Sequence, residues 1–197
     1  GALSIGAVVS TASPDFAPHA VEDRFGQIEP KILLVADGYQ YNGKYFDCAE
    51  KSAEIERLLP TVKKTVRVSK FDEWIKPFIG TPTNYEQLPF NHPGFVLFSS
   101  GTTGKPKCIT HSGAGVMLKA QAEMLYQFDI TIGNNVFFFT TCGWMMWNWL
   151  FMGLGTGASI VLFDGNPLFP EPKRLFDIAE QNNLTFLGVS AKYIDSI

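Results

Sequence analysis

One stretch of the sequence decides the fold: Phe95-Val96-Leu97-Phe98-Ser99-Ser100-Gly101-Thr102-Thr103-Gly104-Lys105-Pro106-Lys107. It begins as an apolar run of aromatic and β-branched residues, which is typical of a buried strand. It ends with four hydroxyl side chains, two glycines and two lysines within nine residues. Residues 113–128 then carry a helical pattern, so we predict a strand, a polar loop and a helix, an arrangement that holds phosphate groups in α/β proteins.

The residue types of this loop suit a phosphate group. The glycines let the backbone turn and bring N–H groups close to an anion, the hydroxyls are hydrogen-bond donors, and the lysines supply positive charge. The predicted phosphate-binding residues are Ser99, Ser100, Gly101, Thr102, Thr103, Gly104, Lys105 and Lys107.

Two alternatives bear on this loop. A solvated turn rich in Gly, Ser and Thr would look similar, because short motifs also match by chance. The loop of P-loop kinases and GTPases is excluded by its spacing, which requires Gly, four residues and then Gly-Lys-Ser/Thr. Here Pro106 follows Gly104-Lys105, and position 99, five before Gly104, is a serine.

Composition narrows the class of protein. The 197 residues are 46% hydrophobic and 18% charged, as in ordinary globular domains. A net charge of −3 with interspersed signs argues against a nucleic-acid partner. Cys48, Cys108 and Cys142 form no CxxC pair and predict reduced thiols in the cytoplasm. The histidines lack metal-ligand spacing, and there is no apolar run long enough for a membrane span.

Apolar runs alternate with amphipathic segments along the chain. Strands are predicted at 32–37, 62–68, 136–140, 159–163 and 184–189, and helices at 18–27, 49–59, 113–128, 144–154 and 172–182. This alternation favours an α/β fold with a mainly parallel sheet and helices on both faces. The continuous apolar run at 32–37 is typical of a strand covered on both faces. Ligands of such sheets bind beyond the carboxyl ends of the strands.

The nine residues at 99–107 closely resemble the signature loop of the adenylate-forming enzymes, which include acyl-CoA synthetases, luciferases and peptide-synthetase adenylation domains. The segments at 13–16, 23–31, 36–44 and 140–149 are similar to acyl-CoA synthetases that activate acetoacetate. The resemblance implies that residues 1–197 are part of the large N-terminal AMP-binding domain. The start of that domain, its adenine and ribose motifs and the C-terminal lid domain would then be missing.

The resemblance also implies a two-step ligase. ATP and a carboxylate form an acyl-adenylate and pyrophosphate, and the thiol of CoA then displaces AMP. The loop would embrace the β- and γ-phosphates of ATP, with Mg²⁺ sharing their charge. The implied small-molecule substrates are acetoacetate, ATP and CoA. The family's catalytic lysine lies in the C-terminal domain, so no catalytic residue is assigned here, and we expect the fragment alone to be inactive.

By position, residues 143–148 match the family segment that lines the acyl pocket. The residues implied are Gly143, Trp144, Met145, Trp147 and Asn148. A tryptophan would form a wall of a short pocket, and Asn148 would bind the keto oxygen of acetoacetate. The alternative is an ordinary helix in the core, where aromatic and Met side chains at helical spacing are common.

Lys44 matches a basic position that meets the 3′-phosphate of CoA in this family, although an ordinary surface lysine would look the same. Asp23 and Arg24 are interpreted as a structural ion pair or as helix charges, and Asp37 as a turn residue. Two alternative functions remain open: an acetyl- or propionyl-CoA synthetase, and a non-catalytic nucleotide- or phosphate-binding module.

Overall fold

A computed structural model describes residues 1–82, 84–99 and 104–197. The chain divides into two compact units. The first comprises Gly1–Tyr39 and Tyr45–Gly113, and the second comprises Gln40–Lys44 and Ala114–Ile197. Each unit has its own hydrophobic core.

The first unit begins with a 3₁₀ turn and contains three helices and most of six strands. The elements are α1 (Pro18–Phe25), β1 (Ile32–Val35), β2 (Gly38–Tyr41), β3 (Lys44–Asp47), α2 (Ala49–Leu58), β4 (Lys64–Arg67), α3 (Phe71–Ile75), β5 (Pro93–Ser99) and β6 (Lys107–Ser112). Strand β1 pairs in parallel with β4, as a β-α-β connection through α2 predicts.

The core of this unit lies where α1 and α2 pack on one face of β1. It contains Val21, Phe25, Leu33, Val35, Ile55 and Leu59. On the opposite face of β1, Ile32 and Leu34 are each 56% exposed in the described chain. The prediction that this strand is covered on both faces is therefore wrong for β1. An unbroken apolar run cannot reveal which of its alternate side chains the neighbouring helices cover.

Strands β2 and β3 form a hairpin whose two-residue turn is Asn42-Gly43. Both turn residues have positive φ, 51° for Asn42 and 71° for Gly43. A type I′ turn needs this conformation, and Asn-Gly is the sequence that adopts it most readily.

The predicted order of strand, loop and helix is wrong in one respect, because a second strand, β6, lies between the loop and the helix. Residues 107–112 form a strand antiparallel to β5, and α4 (Gly113–Gln127) begins only after it. The phosphate loop therefore connects two strands of one antiparallel pair. Pairing with β5 stabilises β6 through the backbone. Its first four residues are exposed, so it lacks the apolar alternation by which a half-buried strand is recognised.

The second unit contains most of α4 and the elements β7 (Asn135–Phe138), α5 (Met145–Met152), β8 (Ser159–Ile160), α6 (Arg174–Gln181), β9 (Phe186–Gly188) and α7 (Ala191–Ile194). Strand β7 is central and pairs in parallel with β8 and β9. Successive side chains of β7 enter different cores. Val136 packs with Met124 and Leu150, whereas Phe137 packs with Leu175 and Ile178. Helices thus cover both faces of this sheet, as the α/β alternation predicts.

Asp37, which follows β1, accepts two hydrogen bonds from Ser69. The backbone N–H and the hydroxyl of Ser69 each lie 2.8 Å from a carboxylate oxygen. These bonds, the backbone one first, lower the pKa of Asp37 below its ordinary value of 3.8. The sequence interpretation of Asp37 as a turn residue missed this link to the segment after β4.

We expect Asp37→Asn to destabilise the protein at neutral pH and to have little effect in acid. Because the folded-state pKa is lowered, the contribution of the carboxylate is present above the unfolded-state pKa and is lost as pH falls through the folded-state pKa. Thermal unfolding at pH 7 and pH 3 measures this, with the exposed Asp195→Asn as control. Equal differences in Tm at both pH values would contradict the prediction.

Candidate functional site

The β5–β6 pair brings the two ends of the predicted phosphate loop together. Ser99, the last residue of β5, is the register partner of Lys107, the first residue of β6. Four predicted loop residues, Ser100, Gly101, Thr102 and Thr103, lie outside the described residues, so their phosphate contacts stay predictions. The structure does show the two ends of the loop, which leaves β5 after Ser99 and joins β6 at Lys107.

Gly104 turns the chain just before the loop exit. Its φ of 94° lies in the left-handed region, which side-chain-bearing residues rarely adopt. Among the described residues, chain neighbours aside, no heavy atom lies within 4 Å of the place where a Cβ would stand, so the φ angle is the observed reason for a glycine here. The predicted turn at Gly104 is confirmed, and its phosphate contact stays a prediction.

The two loop lysines differ in their partners. The ammonium Nζ of Lys105 lies 3.4 Å from Oδ1 of Asp23, with side chains 71% and 42% exposed. An exposed pair of this kind contributes less than about 1 kcal/mol to stability. Lys107 is exposed and pairs with no carboxylate among the described residues. In the described part of the chain, Lys107 is therefore the loop lysine without a carboxylate partner.

Sequence reasoning missed Gln27, which follows α1 and contacts the loop exit. Its Nε2 donates a hydrogen bond to the carbonyl oxygen of Pro106 at 2.9 Å. The interpretation of Asp23 and Arg24 as an ion pair is wrong, because Asp23 pairs with Lys105. Arg24 instead donates to the carbonyl oxygen of Ala20 at 2.6 Å. The only sequence signal for Gln27 was its place in the segment 23–31 that carries the family resemblance.

In the second unit, the predicted acyl-pocket residues lie at the start of α5. Trp144 precedes the helix and is 68% exposed, and Met145 is 58% exposed. Gly143 and Trp147 are half-buried. These residues are not an ordinary core face. The alternative interpretation holds further along α5, where Trp149 and Leu150 enter the core.

Asn148 is the chemically unusual residue of this segment. It is 7% exposed, and its Nδ2 is buried with no hydrogen-bond partner among the described residues. Leaving a buried donor unsatisfied costs about 1–3 kcal/mol. Such an atom fits a site that receives a hydrogen-bond acceptor from a ligand, because the ligand then supplies the missing partner.

A narrow cleft of about 40 Å³ lies next to this part of α5. Trp147 and Leu150 line it from the helix, and aromatic residues of β7 line it from the sheet, together with Thr140 just beyond the strand. The cleft thus lies at the carboxyl end of β7, which is where ligands of parallel sheets bind.

Lys44 lies beside the Asn42-Gly43 turn and is exposed. Residues Gln40–Lys44 belong to the second unit, and within that unit Nδ2 of Asn166 donates to Oδ1 of Asn42 at 2.6 Å. The ring of Phe169 lies against Gly43. These contacts fix the base from which Lys44 extends into solvent.

Among the described residues, no three His, Cys, Asp or Glu side chains cluster as metal ligands would. Within the same residues, no helix has both the length and the apolar character needed to cross a bilayer.

Comparison with known proteins places these features in a family. Residues 1–197 match the family described as AMP-binding enzyme. The chain is 44% identical to acetoacetyl-coenzyme A synthetase of Rhizobium meliloti (strain 1021) and 39% identical to acetoacetyl-CoA synthetase of Gallus gallus. Each alignment covers 98% of this chain and 32% of the relative, so the chain spans about a third of the relatives' length.

A solved structure agrees with the sequence comparison. Acetoacetyl-CoA synthetase from Streptomyces lividans superposes with a TM-score of 0.88 at 38% identity, over 98% of this chain and 31% of that one. The α/β fold and the signature loop thus have the same explanation: the chain belongs to the AMP-binding enzyme family.

Proposed function

We propose that the protein containing this chain activates acetoacetate with ATP as an acyl-adenylate and transfers the acyl group to CoA. The observation that carries the reaction class is the loop between β5 and β6, with Gly104 in a left-handed conformation and, at its exit, Lys107 with no carboxylate partner among the described residues. The family match and the names of the similar proteins support the same reaction.

The loop residues suit the polyphosphate of ATP. Their hydroxyls, their backbone amides and the ammonium group of Lys107 are donors or cations of the kind that binds phosphate oxygens. This donor set fits ATP, whereas Mg²⁺ prefers oxygen ligands and would be held mainly by the phosphates themselves. The ion would supply charge neutralisation. The part of Lys107 is to stabilise the charge that builds up on the departing pyrophosphate.

The acyl group would lie at the start of α5. The buried, unpartnered Nδ2 of Asn148 supports binding of the keto oxygen of acetoacetate, because that oxygen would satisfy the donor. Trp147 borders the adjacent cleft, and Gly143, Trp144 and Met145 would shape the pocket entrance. Lys44, exposed beside its turn, would meet the 3′-phosphate of CoA.

The chain would then be part of a large adenylation domain. The length of the relatives supports this, since the chain covers about a third of them. The adenine and ribose sites and the catalytic lysine would lie in the remaining sequence. A cytosolic location is supported by three cysteines that are all free in the structure.

Pyrophosphate release by the full-length protein tests the proposal. With ATP and Mg²⁺ present, we expect release to depend on added acid and to be faster with acetoacetate than with acetate or 3-hydroxybutyrate. Acetoacetate alone offers a planar keto oxygen to Asn148, and 3-hydroxybutyrate controls for chain length. Preference for acetate would favour the acetyl-CoA synthetase alternative. No release with any acid would favour a nucleotide-binding module.

A further inference from the structure

The end of α1 contacts both residues that flank Lys107. Nε2 of Gln27 donates hydrogen bonds to the carbonyl oxygens of Pro106 (2.9 Å) and Asp23 (2.5 Å). Oε1 of the same side chain accepts a hydrogen bond from the thiol of Cys108 at 3.5 Å. One amide group therefore connects the helix end to the residue before Lys107 and to the residue after it.

A second contact lies one residue further into the loop. The carboxylate of Asp23 and the ammonium group of Lys105 are 3.4 Å apart. Helix α1, which supplies Asp23, is fixed in the core by Val21 and Phe25, which are 5% and 9% exposed. The loop exit is thus attached to a rigid element.

The strand geometry of β6 shows which way Lys107 points. Successive side chains of a strand lie on opposite faces. Cys108 contacts Gln27 at the end of α1, so Lys107 points to the face away from that contact. The attachment of its two neighbours therefore fixes the backbone of Lys107 without occupying its ammonium group.

We infer that Gln27 and Asp23 are positioning residues for the phosphate loop, and that Lys105 is a tether to α1 rather than a phosphate ligand. The inference rests on the proposed ATP-dependent function and adds to it two residues outside the loop. Gln27 holds residues 106–108 so that Lys107 meets the phosphates in one orientation. Asp23 holds Lys105, the residue before Pro106, through the exposed ion pair.

The first test is Gln27→Glu in the full-length protein. Glutamate keeps an acceptor for Cys108 and removes the donor that binds Pro106. We expect KM for ATP to rise about tenfold, as for loss of an ordinary hydrogen bond. The KM values for the acid and CoA should stay unchanged. Gln27→Met, which removes the same donor without adding a charge, is the control for repulsion between the new carboxylate and ATP, and it should give a similar rise in KM.

The second test is a double-mutant cycle of Asp23→Asn and Lys105→Met. If Lys105 is a tether, each change raises KM for ATP by about threefold, and the double variant is no worse than either. If Lys105 binds phosphate, Asp23→Asn releases it and lowers KM for ATP, which would overturn the assignment. Glu171→Gln breaks the similarly exposed Lys173–Glu171 pair and serves as control.

Equilibrium binding separates this inference from the proposed reaction. Calorimetric Kd values for ATP and for inorganic pyrophosphate need no turnover, so they report on the tether even if no acid is activated. Weaker binding of both by Gln27→Glu is the supporting result. Unchanged Kd in a folded variant, or a wild-type protein that binds neither, would overturn the inference. If Gln27→Glu fails to fold, the double-mutant cycle of Asp23 and Lys105 tests the inference instead, because both of its side chains are exposed.

Discussion

Lys107→Met should reduce pyrophosphate release by about 100- to 1,000-fold, the range seen when a group that stabilises developing negative charge is removed. Lys107 is exposed at the start of β6 and has no carboxylate partner among the described residues. Its charge is therefore neither neutralised nor needed for the fold. Because that charge acts on the bound triphosphate and on the departing pyrophosphate, the loss should fall on kcat and on KM for ATP, while KM for the acid stays unchanged.

The matched control is Lys64→Met. Lys64 is also an exposed lysine at the first position of a strand, β4, which pairs in a different sheet of the same unit. Single-turnover measurements of pyrophosphate release by the full-length protein compare the two variants. If Lys107→Met retained activity like that of Lys64→Met, the loop would not use this charge, and the phosphate role of Lys107 would be wrong.

The elements best predicted from sequence are those with amphipathic periodicity. Helix α1 and its buried Val21 and Phe25 follow from residue spacing alone. The helix predicted at 172–182 corresponds to α6, which buries Leu175 and Ile178, whereas the neighbouring apolar side chain of Phe176 is 45% exposed. Periodicity locates an apolar face, whereas the width of that face depends on the neighbouring elements.

The features that escaped prediction depend on contacts between distant parts of the chain. Strand β6 forms through backbone pairing with β5, and its polar sequence gives no signal for that partner. The hydrogen bond from Gln27 to Pro106 joins residues 79 positions apart. Local residue types predicted the loop chemistry, but only the fold shows which helix holds the loop.

The second large effect concerns Asn148. This residue is proposed to bind the keto oxygen of the substrate, and its buried Nδ2 has no hydrogen-bond partner among the described residues. Asn148→Leu should lower kcat/KM for acetoacetate by about 100-fold, because a site built to hydrogen-bond a substrate oxygen loses both binding and orientation without its donor. Butyrate has the same chain without the keto oxygen. Its kcat/KM should stay unchanged or rise, since its methylene group gains no hydrogen bond from Asn148.

The same substitution should raise the free energy of unfolding by about 1 kcal/mol, because it replaces an unsatisfied buried donor with an apolar group of similar size. Lower activity together with higher stability distinguishes a binding residue from a core residue, whose loss would lower both. Chemical denaturation and the two acids give both quantities for one variant. Lower stability with an unchanged ratio of acetoacetate to butyrate activity would show that Asn148 is structural, and the keto-oxygen assignment would fail.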